Sequence, residues 1–565
     1  MLKLTKALAT IGVLFVAGCA AQASGPDGDD FLMFGGPIFG QGEARSGAAV
    51  EVTPAEALVV RDGKVVFAGG LAQARAQARG LPQIDLKGAA AYPGFIDSHV
   101  HLTGVGLREM TLNLDQVKSV AELTAALETW SKAHPGTDPI VGRGWIETHW
   151  PEGRFPSRAD LDAVVADRPV VLERADGHAV VLNSAALTLA GITRETKDPS
   201  GGRIERGADG EATGMLIDTA AGLIETRLPP LSDARRREGL EKAVQLYAAR
   251  GWTGAANMST SAKDVEVLFA LAREGRLPIT VDVFMTPEDS AEVLRRGPYA
   301  DPTGLVRVRG VKLYMDGALG SRGALLLKPY SDQPSGSGLQ IAEHEATLKI
   351  LKQALAVKAD IALHAIGDKG NRLALDWFEE VLQAEPEAAR QVHWRIEHSQ
   401  IVDPSDVPRF AKLGIVASMQ PSHAIGDLYF APARLGPDRL TGAYAWRSLT
   451  ASGALVIGGS DAPVEVGDPR IEFYAAAVRK DLKGGFGPDW RRQEALSRLQ
   501  ALDLFTINPA RADHRPPGWG LLKPGSPANI TVFSREILSA DEADIMKATP
   551  VLTVVRGKRV YDARR

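Results

Sequence analysis

The chain has 565 residues, 45% of them hydrophobic and 24% charged, and a formal net charge of −4. That profile belongs to a globular protein with a substantial core, excludes a disordered or collagen-like chain and leaves no basic footprint for nucleic acid. Cys19 is the only cysteine, so disulfides and thiolate-held metals are excluded from the mature body.

The first residues, MLKLTKALATIGVLFVAGCAAQASG, place Lys3 and Lys6 before an apolar run from Ala7 to Ala17, followed by small residues. They read as a signal peptide over residues 1–18, its apolar core too short to span a bilayer. Val16-Ala17-Gly18-Cys19 resembles a bacterial lipobox, in which the cysteine is lipidated and becomes the mature N-terminus. Two acyl chains there would give the stable anchor that one cannot. Residues 19–30 then form a tether, and the expectation is an exported lipoprotein at the outer membrane, facing the periplasm. The alternative is plain secretion into the periplasm after Ala21-Gln22-Ala23.

Short strand patterns follow at Phe31–Gly40 and at Ala57–Gly70, the latter folded about an Asp62-Gly63 turn. ANITVFSRE and VLTVVRGKRVYDARR near the C-terminus have the same character. Hairpins at both ends predict one composite β-domain from residues 31–90 and 510–565; two separate hairpins capping the middle are the alternative.

Residues 91–509 repeat an apolar strand and a helical pattern. The strands read as Ala91–Asp97, Gly254–Met258, Ile279–Phe284, Val308–Tyr314, Asp360–His364, Val392–Glu397, Ile415–Met419 and Ala454–Gly458. Successive βα units imply a parallel sheet, and eight of them predict an α/β chain with a closed (β/α)8 TIM barrel whose chemistry gathers at the C-terminal strand ends. The gap after the first strand is too long for one crossover, which predicts an inserted subdomain over about residues 103–250.

His99 and His101, one residue apart, share a face at the end of the first strand. Alone, such a pair also suits hydrogen-bonded structural histidines. The later strand ends add Lys312, His364, His398 and Asp461. A barrel would bring all six to one rim, and that constellation points to a metal centre.

PGFIDSHVHL, the histidines of LHAIGD and RIEHSQ, and GSDAP resemble the amidohydrolase superfamily of metal-dependent hydrolases. GRGW, DGHAVVLNSAAL and KLYMDGALGSRGA resemble the branch that includes N-substituted formamide deformylases. The resemblance implies a barrel beside a small β-sandwich built from both chain ends. It implies His99, His101 and Asp461 at one ion, His364 and His398 at a second, and Lys312, carboxylated by CO2, bridging them. A single ion beside an unmodified Lys312 is the alternative. Two zinc ions are expected, with iron or manganese open.

The implied reaction cleaves a small non-peptide amide by metal-activated hydroxide, with Asp461 carrying the proton. The same machinery on a cyclic amide or ester, or a catalytically silent binding lipoprotein, are the other readings. His178 is the candidate donor to the carbonyl oxygen, or else packs the insertion. Trp145, Arg322 and His423 are candidate substrate contacts; core packing is the alternative for Trp145 and a surface ion pair for Arg322. The expected partners are a small-molecule amide, no nucleic acid, a membrane only through the N-terminal anchor, and a second copy in a homodimer. PSGSGLQ, Pro334–Gln340, reads as a cover over the pocket.

Overall fold

The computed structural model describes residues 29–40, 53–114, 117–147, 150–174, 179–199, 202–485 and 490–565. Eight strands pair in parallel and in sequence order: β1 (Phe95–Val100), β2 (Trp252–Thr260), β3 (Thr280–Met285), β4 (Val306–Tyr314), β5 (Asp360–Ala365), β6 (Arg395–His398), β7 (Val416–Met419) and β8 (Val456–Gly458). Amphipathic helices separate most of them. Helix Asp368–Ala384, for instance, buries Ala374, Leu375, Phe378, Val381 and Leu382 at helical spacing. The seam between β8 and β1 carries a single bridge, Val100 to Ala462. His101 N–H donates to the Ala462 carbonyl there (2.9 Å), and Asp461 N–H to that of His99 (2.7 Å). The result is a nearly closed parallel barrel.

The predicted first strand is in fact two. Ala90–Pro93 joins a sheet made from the chain ends, and only Phe95–Val100 belongs to the barrel. Gly94 divides them at a close approach: a Cβ there would sit 2.3 Å from Thr253 Oγ1. The end sheet has eight strands, drawing Phe31–Ile38, Ala55–Arg61, Lys64–Gly69 and Gln83–Asp85 from one side and Ile530–Phe533, Pro550–Val555 and Lys558–Asp562 from the other. Ala90–Pro93 is where they meet, pairing Ala91 with Ile38 and Pro93 with Ile530. Phe31, Met33, Leu58, Ile530, Val532 and Leu552 share its core. Hydrogen bonds join these strands along one continuous path.

Between β1 and β2, helices Leu102–Glu109 and Asp233–Arg250 pack on one another. Gly106 permits the contact, since a Cβ there would lie 1.9 Å from the Gly239 carbonyl oxygen. The chain between these helices forms a separate six-stranded sheet around Leu123, Leu127, Leu161, Leu172 and Val181. Pro334–Gln340 does not stand free as a cover. Hydrogen bonds from Leu326 N–H to the Ser337 carbonyl and from Leu339 N–H to that of Gly323 stitch it to the loop after β4.

Candidate metal centre

β1 delivers His99 inward with no exposure. Its Nδ1 lies 2.5 Å from Glu397 Oε2, and its Nε2 lies 3.3 Å from Lys312 Nζ and 3.5 Å from Asp461 Oδ1. His101, at the start of the following helix, places Nε2 3.2 Å from the same Asp461 oxygen. At the end of β6, His398 Nδ1 is bonded to Gln420 Oε1 (2.8 Å). One ligand atom each from His99, His398 and Asp461 can be chosen so that all lie within 4.8 Å of one another.

The backbone is bent to achieve this. His398 (φ 73°) and Asp461 (φ 57°) both occupy the left-handed region, which costs a non-glycine residue about 1–3 kcal/mol and persists only where surrounding structure enforces it. On β6, Arg395 and Glu397 face the barrel interior by ordinary alternation, and the turn at His398 brings its ring to the same side. At Asp461 the enforcement comes from Asp97. Its carboxylate accepts Ser460 N–H (2.8 Å) and Ser460 Oγ–H (2.6 Å) and so holds the neighbouring residue in place.

Burial, reinforced by Lys312, lowers His99 to about 4 and His364 to about 3. Burial also lowers Lys312 to about 8. It opposes ionisation of Asp461, but His99, His101 and His398 outweigh it and hold that carboxyl well below its usual range. Neutral imidazoles beside an ionised carboxylate are the protonation states a metal requires of its ligands. The buried Nε2 atoms of His364 and His423 have no hydrogen-bond partner. The donor set therefore fits a divalent cation with nitrogen and oxygen preference.

The other predicted residues divide. The His364 ring lies 4.4 Å from that of His398, yet its Nε2 sits by Asp316 Oδ1 at 3.6 Å, outside the tight trio. His423 is at the centre itself, with Nε2 3.6 Å from Asp461 Oδ2. Trp145 does not wall the pocket. It is fully buried in the core of the inserted domain, its Nε1–H donating to the Leu172 carbonyl at 2.9 Å. Arg322 is engaged by Asp332 on its own loop (2.9 Å). His178 and Cys19 lie outside the described residues.

Glu397, Gln420, Asp97 and Asp316 were not singled out from the sequence. A signal existed for Glu397: two charged residues, Arg395 and Glu397, alternate in a strand that must face an apolar barrel.

The amidohydrolase family model matches residues 83–561. YtcJ of Bacillus subtilis (strain 168) is 34% identical over 523 residues, covering 90% of this chain and 96% of that protein. The N-substituted formamide deformylase of Arthrobacter pascens is 27% identical over 527 residues, covering 90% and 95%. The crystal structure of an uncharacterized metal-dependent hydrolase from Pyrococcus horikoshii OT3 superposes with a TM-score of 0.75 at 30% identity, covering 91% of this chain and 99% of that one. With the family match running through every barrel strand and into both halves of the end sheet, this chain is a hydrolase belonging to the amidohydrolase family.

Proposed function

We propose that the protein cleaves the carbon–nitrogen bond of a small, non-peptide amide with the help of divalent metal, zinc by its donor set. The observation that carries this reading is the convergence of His99, His398 and Asp461 within 4.8 Å at the barrel rim. His99, His101 and Asp461 would hold one ion, and His398 with His364 a second. Lys312 is buried, lies 3.3 Å from His99 Nε2 and makes no carboxylate ion pair among the described residues. If carboxylated by CO2, it would offer anionic oxygens to both ions. When bound, such metal supplies an activated water and a polarised carbonyl.

The chain's own groups do the remaining work. Glu397 and Gln420 hold the His99 and His398 rings in orientation. Asp461 accepts the attacking water's proton on its carboxylate and returns it to the departing nitrogen. His178 donates to the substrate's carbonyl oxygen, and His423, beside Asp461 Oδ2, contacts the substrate. The named substrate class of the Arthrobacter pascens relative makes N-substituted formamides and other N-acyl amines the first compounds to test.

The test is metal analysis of the purified protein with hydrolysis of an N-acyl amine panel before and after chelation. The expected result is bound metal and activity that is lost on chelation and restored by zinc. A metal-free protein that hydrolyses amides at full rate overturns the reading. Export with lipid anchoring at Cys19 belongs to the same proposal, on the strength of the lipobox pattern. Cys19→Ser should move the protein from the membrane to the soluble fraction.

A further inference from the structure

A cavity of about 480 Å³ opens where the inserted domain meets the loop that follows Asp461. Arg108, Trp130, Arg143, Arg250, Val464 and Glu465 are among its walls, and no candidate metal ligand is. Its size is within the range of ordinary small-molecule sites.

The three arginines come from separate elements and crowd the same acceptors. Arg108 and Arg143 both donate to the Pro463 carbonyl, at 3.5 and 3.4 Å. Arg108 and Arg250 both donate to the Val466 carbonyl, at 3.0 and 2.5 Å. The one carboxylate paired with any of them among the described residues is Glu109, 3.3 Å from Arg108 and 38% exposed. Glu465 also lines the cavity, but Arg108 meets it through its backbone carbonyl (2.8 Å), and its carboxylate forms no ion pair with the three arginines among the described residues. Burial and the proximity of Arg108 both lower Arg250.

Three guanidiniums thus converge on carbonyl oxygens, which carry only partial charge; Glu109 beside Arg108 and the more distant Asp468 near Arg250 offset part of their mutual repulsion. Each guanidinium has five N–H donors in a fork shaped for oxyanions, more than the shared carbonyls consume. Arg143 lies in the GRGW segment, for which the metal centre provides no role.

We propose that this cavity binds a small oxyanion-bearing molecule, a carboxylate or phosphate, between Arg108, Arg143 and Arg250, with Trp130 against its organic portion. The site is distinct from the metal centre and independent of the reaction proposed there. Its loop, Pro463–Val466, follows Asp461-Ala462 in the chain.

The test titrates inorganic phosphate and succinate separately into the full-length protein by calorimetry, against sodium chloride of matched ionic strength. Amide exchange over residues 462–467 reports the place of binding. The expected result is saturable one-site binding, tighter than about 1 mM, with slowed exchange in that loop. Affinity should fall at least about tenfold in Arg143→Gln and Arg250→Gln at unchanged metal content. The tighter of the two probes assigns the ligand's class. Should either variant fail to fold, Arg143→Lys retains the charge without the fork and should still bind more weakly. No saturable binding by about 10 mM, or wild-type affinity in the folded variants, overturns the proposal; the latter would place the anion elsewhere, the metal centre included.

Discussion

Glu397 Oε2 stands 2.5 Å from His99 Nδ1 in a pair with no solvent exposure. The other Glu397 oxygen is 2.6 Å from Arg395 Nε, a side chain only 1% exposed. The imidazole is thereby held by a carboxylate that is itself held by a buried cation, and its Nε2 is left facing Lys312 and Asp461. Glu397→Gln keeps the shape and removes the charge. Metal affinity should fall about 10–100-fold, read by competition with a chromogenic chelator. Arg395 keeps Asp513 at 3.3 Å, so the stability cost in urea unfolding should stay below the about 3–5 kcal/mol of a buried charge left unpaired. Unchanged metal affinity would show that the pair serves the fold alone.

Asp461→Asn preserves the size of the side chain and removes its basicity. Turnover should drop by at least about 100-fold, beyond any loss explained by metal content measured on the same sample. A near-normal rate with full metal would contradict the proton-carrying role.

Asp97 supplies a pH prediction for the metal-free protein. Burial raises its carboxyl from 3.8 to about 6, so the folded state binds that proton more tightly than the unfolded state does. The stabilisation is therefore complete below the unfolded value and is lost as pH rises through about 6. A shift of about two units corresponds to about 3 kcal/mol. Relative to Asp97→Asn, the wild type should gain about that much stability between pH 8 and pH 4, measured as paired urea transitions. A difference that does not change with pH would refute the assignment.

Gly106→Ala tests the packing of the two helices that frame the inserted domain. The added methyl meets backbone, the Gly239 carbonyl at 1.9 Å, rather than a side chain that could swing away. Overpacking of this kind should cost about 1–3 kcal/mol, visible as a lowered unfolding temperature. Gly136→Ala makes a contrasting case. Nothing lies within 4 Å of its Cβ position, although its φ of 135° brings backbone strain of its own.

Trp145→Phe separates core from pocket. Loss of the indole hydrogen bond to Leu172 should lower stability by about 1 kcal/mol while leaving KM unchanged. A raised KM at unchanged stability would return Trp145 to the substrate.

Local patterns made much of this architecture legible in advance. Strand and helix periodicities are properties of neighbouring residues, so the alternation that builds the barrel can be read from short windows. The placement of His99, His101, Lys312, His364, His398 and Asp461 at strand ends followed from the same pattern. The division at Gly94 was not legible, because Ala91 to Asp97 is one apolar run. What splits it is the close approach of Thr253, far away in the chain.

Period and position along a strand are enough to set the order of the βα units and the donor types near the rim. How those donors are held depends on contacts across the fold. Glu397 meets His99 across 298 positions, Asp97 fixes the residue before Asp461, and left-handed turns at His398 and Asp461 aim their side chains. The tertiary structure also sent Trp145 into a separate core and gave Arg322 an acidic partner. The physical reason is that orientation and charge compensation are settled between segments distant in the chain, where no local propensity records them.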